Sequence, residues 1–160
     1  MQQVQLICVG KLKEGFYRDA CAEYAKRLAP FCKLTTVEIP EEKLPQDPSQ
    51  AQIDAALAKE AAAIRAKILP YTRVTALCVE GRMRSSRELA QMFPDLALSR
   101  ERGVTFLIGG SYGLDEGLKS EAQSRLSMSP MTFPHHLARV MLLEQIYRAF
   151  QINGGTRYHK

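Results

Sequence analysis

The chain reads as an α/β domain, an open and mostly parallel sheet flanked by helices. Short apolar runs with strand character alternate along it with longer segments of helical period. Val104–Ile108 is almost continuously apolar, as a strand covered on both faces of a parallel sheet is. The 160 residues carry no internal repeat and no low-complexity linker, so a single domain spanning 1–160 is expected.

Taken in order, Gln3–Val9 is strand-like, and Glu14–Leu28 places Tyr17, Cys21, Tyr24 and Leu28 on one helical face. Leu34–Ile39 is a second strand, stopped by Pro40. The segment Asp47–Leu69 opens on an Asp–Pro pair, a cap followed by a favourable first helical residue, with Ile53, Leu57, Ile64 and Ile68 as its buried stripe. Val74–Glu80 is another strand, and Ser85 with Glu88 forms a capping box for a helix that Pro94 should kink or end. Beyond Val104–Ile108 a short helix is expected from about Asp115, a short strand near Leu126–Ser129, and a last helix over about Pro134–Asn153. The pattern does not reveal strand order.

Composition narrows the class. Hydrophobic residues make up 46% and charged residues 24%, ordinary for a soluble globular chain. No run is long enough to span a bilayer, and "MQQVQLICVG" lacks the features of a secretory leader, so a cytoplasmic protein is expected. Cys8, Cys21, Cys32 and Cys78 are scattered without a CxxC pair, which points to reduced, buried thiols rather than disulfides or a metal site. The net charge of +5 is compatible with a polyanionic partner without demonstrating one.

The stretch "FLIGGSYGLDEGL" ends its apolar run in two glycines, with a third at Gly113. Its GGxxG spacing fits neither the P-loop nor the dinucleotide fingerprint. What remains is a backbone turning sharply beside a ligand or beside another piece of chain. Its place at the carboxyl end of the most apolar strand favours a ligand, since open α/β sheets bind there. Leu77 and the loop "SMSPMTFPHH" could reach the same rim. That loop mixes small hydroxyls, methionines, prolines and Phe133 with no acidic residue, which suits a flat, weakly polar group as well as it suits a plain loop.

The last helix carries Val140, Leu143, Tyr147 and Phe150 in one stripe and Leu137, Met141, Leu142 and Ile146 outside it. So much apolar surface means a fully internal helix or a subunit interface, and a symmetric homodimer is favoured. Glu144 and Arg148 either pair on its exposed side, or Arg148 or Arg139 turns toward a shared cleft and phosphate. The terminal "TRYHK" is either a solvated end or a small chemical kit. Arg157 and Lys160 suit phosphate, Tyr158 can stack on a base, and His159 can move a proton near neutral pH. Arg82, Arg84 and Arg87 are weaker candidates for an RNA backbone, and of the adjacent His135 and His136 only one should face a cleft.

The segments "IGGSYGL", "MSPMTFPHHLARVMLLEQIYRAF" and "YHK", with the opening "LICVGKLKEGFY" and "EYAKRL", closely resemble the RlmH family. These are small SPOUT-superfamily methyltransferases of bacterial large-subunit ribosomal RNA, and the resemblance runs nearly end to end. It implies a carboxyl-terminal trefoil knot, which general topology rules would exclude. It implies S-adenosylmethionine as cofactor, lined by Leu77, Gly109, Met128, Ser129, Pro130, Met131, Thr132 and Phe133. It implies methylation of a pseudouridine at N3 in 23S ribosomal RNA within the assembled ribosome, by a homodimer using no metal. His159 is then the expected base, Tyr158 its neighbour that positions or stacks, and His135 the second candidate for the base. Arg139, Arg148, Arg157 and Lys160, with His135, would contact the RNA. A catalytically inert ribosome-binding dimer of the same fold is the principal alternative, and a dinucleotide-using protein is disfavoured by the absent fingerprint.

Overall fold

The computed structural model describes residues 1–160. Five strands, β1 (Gln2–Val9), β2 (Cys32–Ile39), β3 (Thr72–Met83), β4 (Gly103–Ile108) and β5 (Ser124–Ser127), form one sheet in the order β2-β1-β4-β3-β5. Every neighbouring pair is parallel, so the sheet is wholly rather than mostly parallel. Five helices connect the strands: α1 (Gly15–Leu28), α2 (Gln50–Arg65), α3 (Ser86–Leu98), α4 (Glu116–Glu121) and α5 (His135–Asn153).

The two faces of the sheet follow from the alternation of side chains along each strand. Val4, Leu6 and Cys8 of β1 and Val104, Phe106 and Ile108 of β4 pack with Leu28, Phe93, Leu96, Leu142 and Ile146 of α1, α3 and α5. Ile7, Val9 and Leu107 point the other way, onto Ala61, Ile64 and Leu118 of α2 and α4. All six residues of β4 are buried, as its apolar run predicts. One polar group crosses this interior without loss. Gln5 accepts from the Thr105 hydroxyl at 2.9 Å and the Leu69 amide at 3.1 Å, and donates to the Lys67 carbonyl at 2.9 Å. Its amide thus pins the α2–β3 connection to the amino-terminal ends of the central strands.

The structure corrects several local expectations. The cap of α2 is Ser49, not Asp47. Its hydroxyl accepts from the Gln52 amide at 3.2 Å while Gln52 Oε1 accepts from the Ser49 amide at 2.8 Å. The deepest residues of α2 are Ala56, Glu60, Ala61 and Ile64, while Ile53, Leu57 and Ile68 are only partly covered. The expected box of Ser85 and Glu88 is present, but α3 does not end at Pro94 and continues to Leu98. A proline there leaves the carbonyl four residues back without its helical donor. That carbonyl, on Ala90, accepts instead from Asn153 Nδ2 at 2.9 Å, so the end of α5 repairs the helix.

Helix α5 lies against both α1 and α3, and its deep stripe is Ala138, Leu142, Ile146 and Ala149 with Leu143 beside it, not the Val140–Tyr147–Phe150 line. The loops after β1, β3, β4 and β5 gather at the carboxyl ends of the strands. There β3 swells: Leu126 of β5 pairs with both Leu77 and Arg82, so the intervening residues 78–81 bulge out from the ladder. No helix is long and apolar enough to cross a membrane.

Candidate active site

A cleft of about 630 Å³ opens at this rim. Its walls are Leu77–Glu80 of the β3 bulge, the Ile108–Leu114 turn, Lys119 of α4, and the segment from Met128 to His135. Seven of the eight residues expected to meet the cofactor line it: Leu77, Gly109, Met128, Ser129, Met131, Thr132 and Phe133. Pro130 does not.

The glycine turn has a cause within the chain. A Cβ on Gly109 would overlap the backbone carbonyl of Gly113, because Gly110 and Gly113 bridge and the Gly113 amide donates to Gly110 O at 3.1 Å. Gly113 itself has φ 80°, the left-handed region that side chains avoid. The turn is therefore as tight as backbone allows, and it presents main chain rather than side chains to the cleft. From outside, Glu41 Oε1 accepts from the Ser111 amide at 3.1 Å, and Glu60 Oε2 accepts from the Glu42 amide at 2.9 Å. Two carboxylates thereby brace the turn against the β2–α2 connection. Burial pushes the Glu60 carboxyl above the usual carboxylate range, and the neighbouring Glu41 and Glu42 push the same way against the Glu42 amide hydrogen bond.

The opposite wall is stiffened locally. Ser127 Oγ donates to Ser129 O at 3.0 Å, and Ser129 Oγ accepts from the Met131 amide at 3.0 Å, which leaves Met131 72% exposed at the mouth. His135, at the start of α5, faces the cleft with His136 against it, ring centroids 3.9 Å apart. Burial, and next the charge of His136, hold His135 below the usual histidine range, so it is neutral at neutral pH.

Two cleft residues escape a reading of the sequence. Lys119 is 8% exposed, with Nζ 2.5 Å from Glu80 Oε1 and 2.8 Å from Glu116 Oε1. Burial pulls its ammonium down, but the hydrogen bonds to Glu116 and Glu80 outweigh it and leave Lys119 above the usual lysine range. The same bond holds Glu80 below the usual carboxylate range, so a fixed anion stands at the cleft mouth. The spacing of Glu116 and Lys119 was the available signal, while the meeting with Glu80 depends on the bulge.

The tail lies elsewhere. Tyr158 donates from its hydroxyl to Glu144 Oε1 at 3.2 Å, and His159 Nδ1 sits 3.2 Å from Arg148 Nη1. Arg148 in turn contacts Glu144 at 2.5 Å and lies 4.9 Å from the centre of the Tyr158 ring. Neither Tyr158 nor His159 lines the cleft of its own chain. Arg157 and Lys160 are exposed. Arg139 departs from its expected place: 4% exposed, it donates to Glu38 Oε2 at 3.0 Å and to the Gly10 carbonyl at 3.2 Å, tying α5 to β1 and β2. A guanidinium so enclosed has no face left for a phosphate in solvent. All four cysteines are free, and burial lifts Cys8 to about 12 and Cys32 to about 11, which suppresses their thiolates. No group of three or more His, Cys, Asp or Glu is arranged to hold a metal ion.

Known proteins place this geometry. Residues 2–159 match the family described as "Predicted SPOUT methyltransferase". The chain is 45% identical over 157 residues to the ribosomal RNA large subunit methyltransferase H of Levilactobacillus brevis, covering 98% of this chain and 99% of that one. It is 46% identical over 157 residues to the protein of the same name from Clostridium novyi, with the same coverage. Among solved structures, a probable methyltransferase from Bordetella pertussis superposes with a TM-score of 0.59 at 17% identity, over 92% of this chain and 94% of that one. A probable methylase family protein from Haemophilus influenzae superposes with a TM-score of 0.52 at 12% identity, over 96% of this chain and 67% of that one. The two superpositions speak to fold alone, and the family match with the full-length relatives settles kinship: the chain belongs to the SPOUT methyltransferase family.

Proposed function

We propose that the protein transfers a methyl group from S-adenosylmethionine to N3 of a pseudouridine in 23S ribosomal RNA, on the assembled ribosome. The observation that carries this is the cleft at the strand ends, walled by the main chain of Gly109–Gly113 and the Met128–Phe133 loop, in a chain of this family. Its chemistry fits the cofactor. Leu77, Met128, Met131 and Phe133 offer apolar cover for a base, the turns offer amides and carbonyls for its edges, and a braced Glu80 offers an anion for a positively charged or hydroxylated group. No arrangement of cations suited to a phosphate lines it, in keeping with a phosphate-free donor. Bound there, the cofactor supplies an electrophilic methyl group on a sulfonium.

The chain's own residues then have two tasks. The first is to hold donor and acceptor in line, which the rigid turn and the stiffened Ser127–Met131 loop serve. The second is to take the imide proton from N3, since the lone pair there is delocalised until the proton leaves. His159 is the base in this proposal, with Tyr158 positioning it. Both pack against α5 of their own chain and away from their own cleft, so the tail of a second copy completes the site in a homodimer. Arg148, Arg157 and Lys160 contact the RNA backbone, and a trefoil knot in the carboxyl-terminal part forms the cofactor's pocket. A ribosomal substrate puts the enzyme in the cytoplasm. One observation favours a second base: His135 lines the cleft itself and is held neutral, able to accept a proton.

Calorimetric titration with adenosylmethionine and with NAD tests the cofactor. Binding of the first alone is expected, and binding of NAD alone overturns the proposal. Ribosomes lacking the modification, incubated with protein and methyl-labelled cofactor, should acquire label in large-subunit RNA. No label with the cofactor bound would instead identify an inert ribosome-binding dimer.

A further inference from the structure

Aromatic rings run outward from the cleft along one line. His135 lines the cleft, its ring is 3.9 Å from that of His136, His136 is 5.8 Å from Tyr17, and Tyr17 is 4.5 Å from Phe16. The line ends at the first turn of α1, where Phe16 is 66% exposed. A phenylalanine at a helix start gains nothing from water, and the Tyr17 ring covers only a part of this one. The rings are tilted rather than stacked face to face, with interplanar angles of 54°, 32° and 47°, and beyond the exposed Phe16 the Tyr17 and His136 rings are half-buried, so each keeps part of its surface in solvent.

The surroundings select the planar group. Lys11 and Lys13 are exposed just before the helix, and Arg18 is held by the carbonyls of Leu12 and Lys13 at 3.1 and 2.6 Å. Three cations stand against the two carboxylates of Glu14 and Asp19, and the chain as a whole carries +5. An exposed ring backed by half-buried ones and flanked by fixed and mobile cations is what unpaired nucleic acid requires, the rings for base faces and the cations for the backbone between them.

We propose that Phe16, Tyr17 and His136 form a stacking shelf for an unpaired base of the RNA strand, next to the base that enters the cleft. This rests on an RNA substrate and names how the strand beside the target is held. The shelf recognises a π-face, so it tolerates any base, and it serves binding rather than the transfer step.

The chain contains no tryptophan, so Phe16→Trp places a unique fluorophore on the shelf. An unpaired oligoadenylate should quench it, and quenching should persist at salt concentrations that strip simple charge contacts. Phe16→Ala in the full-length protein should raise KM for unmodified ribosomes by roughly 5- to 100-fold, the span of a single base–aromatic stack, with kcat and adenosylmethionine affinity unchanged and with Phe16→Trp restoring KM. Unchanged KM, or an unquenched tryptophan, overturns the shelf. A change of sedimentation on Phe16→Ala also overturns it, since Phe16 would then be covered by a second copy. If the wild-type protein labels no ribosomal RNA, the methyltransferase proposal fails separately, and the fluorescence titration still decides whether the shelf binds bases.

Discussion

The walls of the cleft are main chain whose course the sheet and a glycine turn dictate, whereas Tyr158 and His159 rest on one helix through contacts to Glu144, Arg148 and Tyr147. The first is finished within a single chain and cannot relax without moving β4. The second is made of exposed or half-exposed polar contacts, each worth little on its own. Holding a donor requires a shape that does not move, and meeting a large RNA requires groups that do. The difference suggests that cofactor binding and proton removal can be broken one at a time.

The largest effect is expected on the tail side. His159→Ala should slow the transfer step by roughly 10²–10⁴-fold, the usual worth of a positioned general base, with adenosylmethionine affinity unchanged. Single-turnover labelling of unmodified ribosomes measures the rate, and calorimetry measures the affinity. An unchanged rate removes His159 from the role and moves it to His135.

The cleft side should break in the opposite sense. Gly109→Ala drives a methyl group into the Gly113 backbone, which has no rotamer with which to yield. The turn must open, and cofactor affinity should fall by about ten- to a hundred-fold, ~1.4–3 kcal/mol. The rate at saturating cofactor should fall far less than in His159→Ala. Equal losses of affinity in both variants would erase the distinction between the two regions.

How much of this was legible depends on whether a signal is local. The strand of Val104–Ile108, the box of Ser85 and Glu88 and the short helix from about Asp115 rest on neighbours in sequence, and each is found where its pattern places it. Ser49 with Gln52 carries the same box pattern, so the cap of α2 was readable and the Asp–Pro pair merely drew attention from it. The continuation of α3 through Pro94 was not readable, because its remedy is Asn153, 63 residues beyond the carbonyl it serves. Arg139 reads in the sequence as a contact for phosphate, and only the fold brings Glu38, 101 residues away, beside it. The place of the tail on α5, and the pairing of Glu80 with Lys119, likewise depend on contacts between distant segments that no periodicity encodes. The motifs of the cleft were legible through their resemblance to a known family, while the reason for Gly109 became visible only as a collision with Gly113.

The smallest effect concerns the brace beneath the glycine turn. Glu60 is 6% exposed and its carboxyl is raised by burial, so protonation of Glu60 favours the folded chain over the unfolded one. A raised acid contributes its stability below its unfolded value, near 4.5, and loses it as pH rises through the folded value. Glu60→Gln keeps an acceptor for the Glu42 amide but carries no charge at any pH. It should therefore stabilise the protein at neutral pH by up to about 1 kcal/mol, with the advantage over the wild type shrinking as pH falls toward 4.5. Thermal unfolding across that range reads the gap directly. Because the brace acts on the turn through Glu42, Glu41 and Ser111, the substitution should leave both cofactor affinity and the His159-dependent rate in place. Loss of affinity in Glu60→Gln would mean that the charge itself, transmitted to the turn, shapes the cleft, and the wall would be less rigid than its glycines make it.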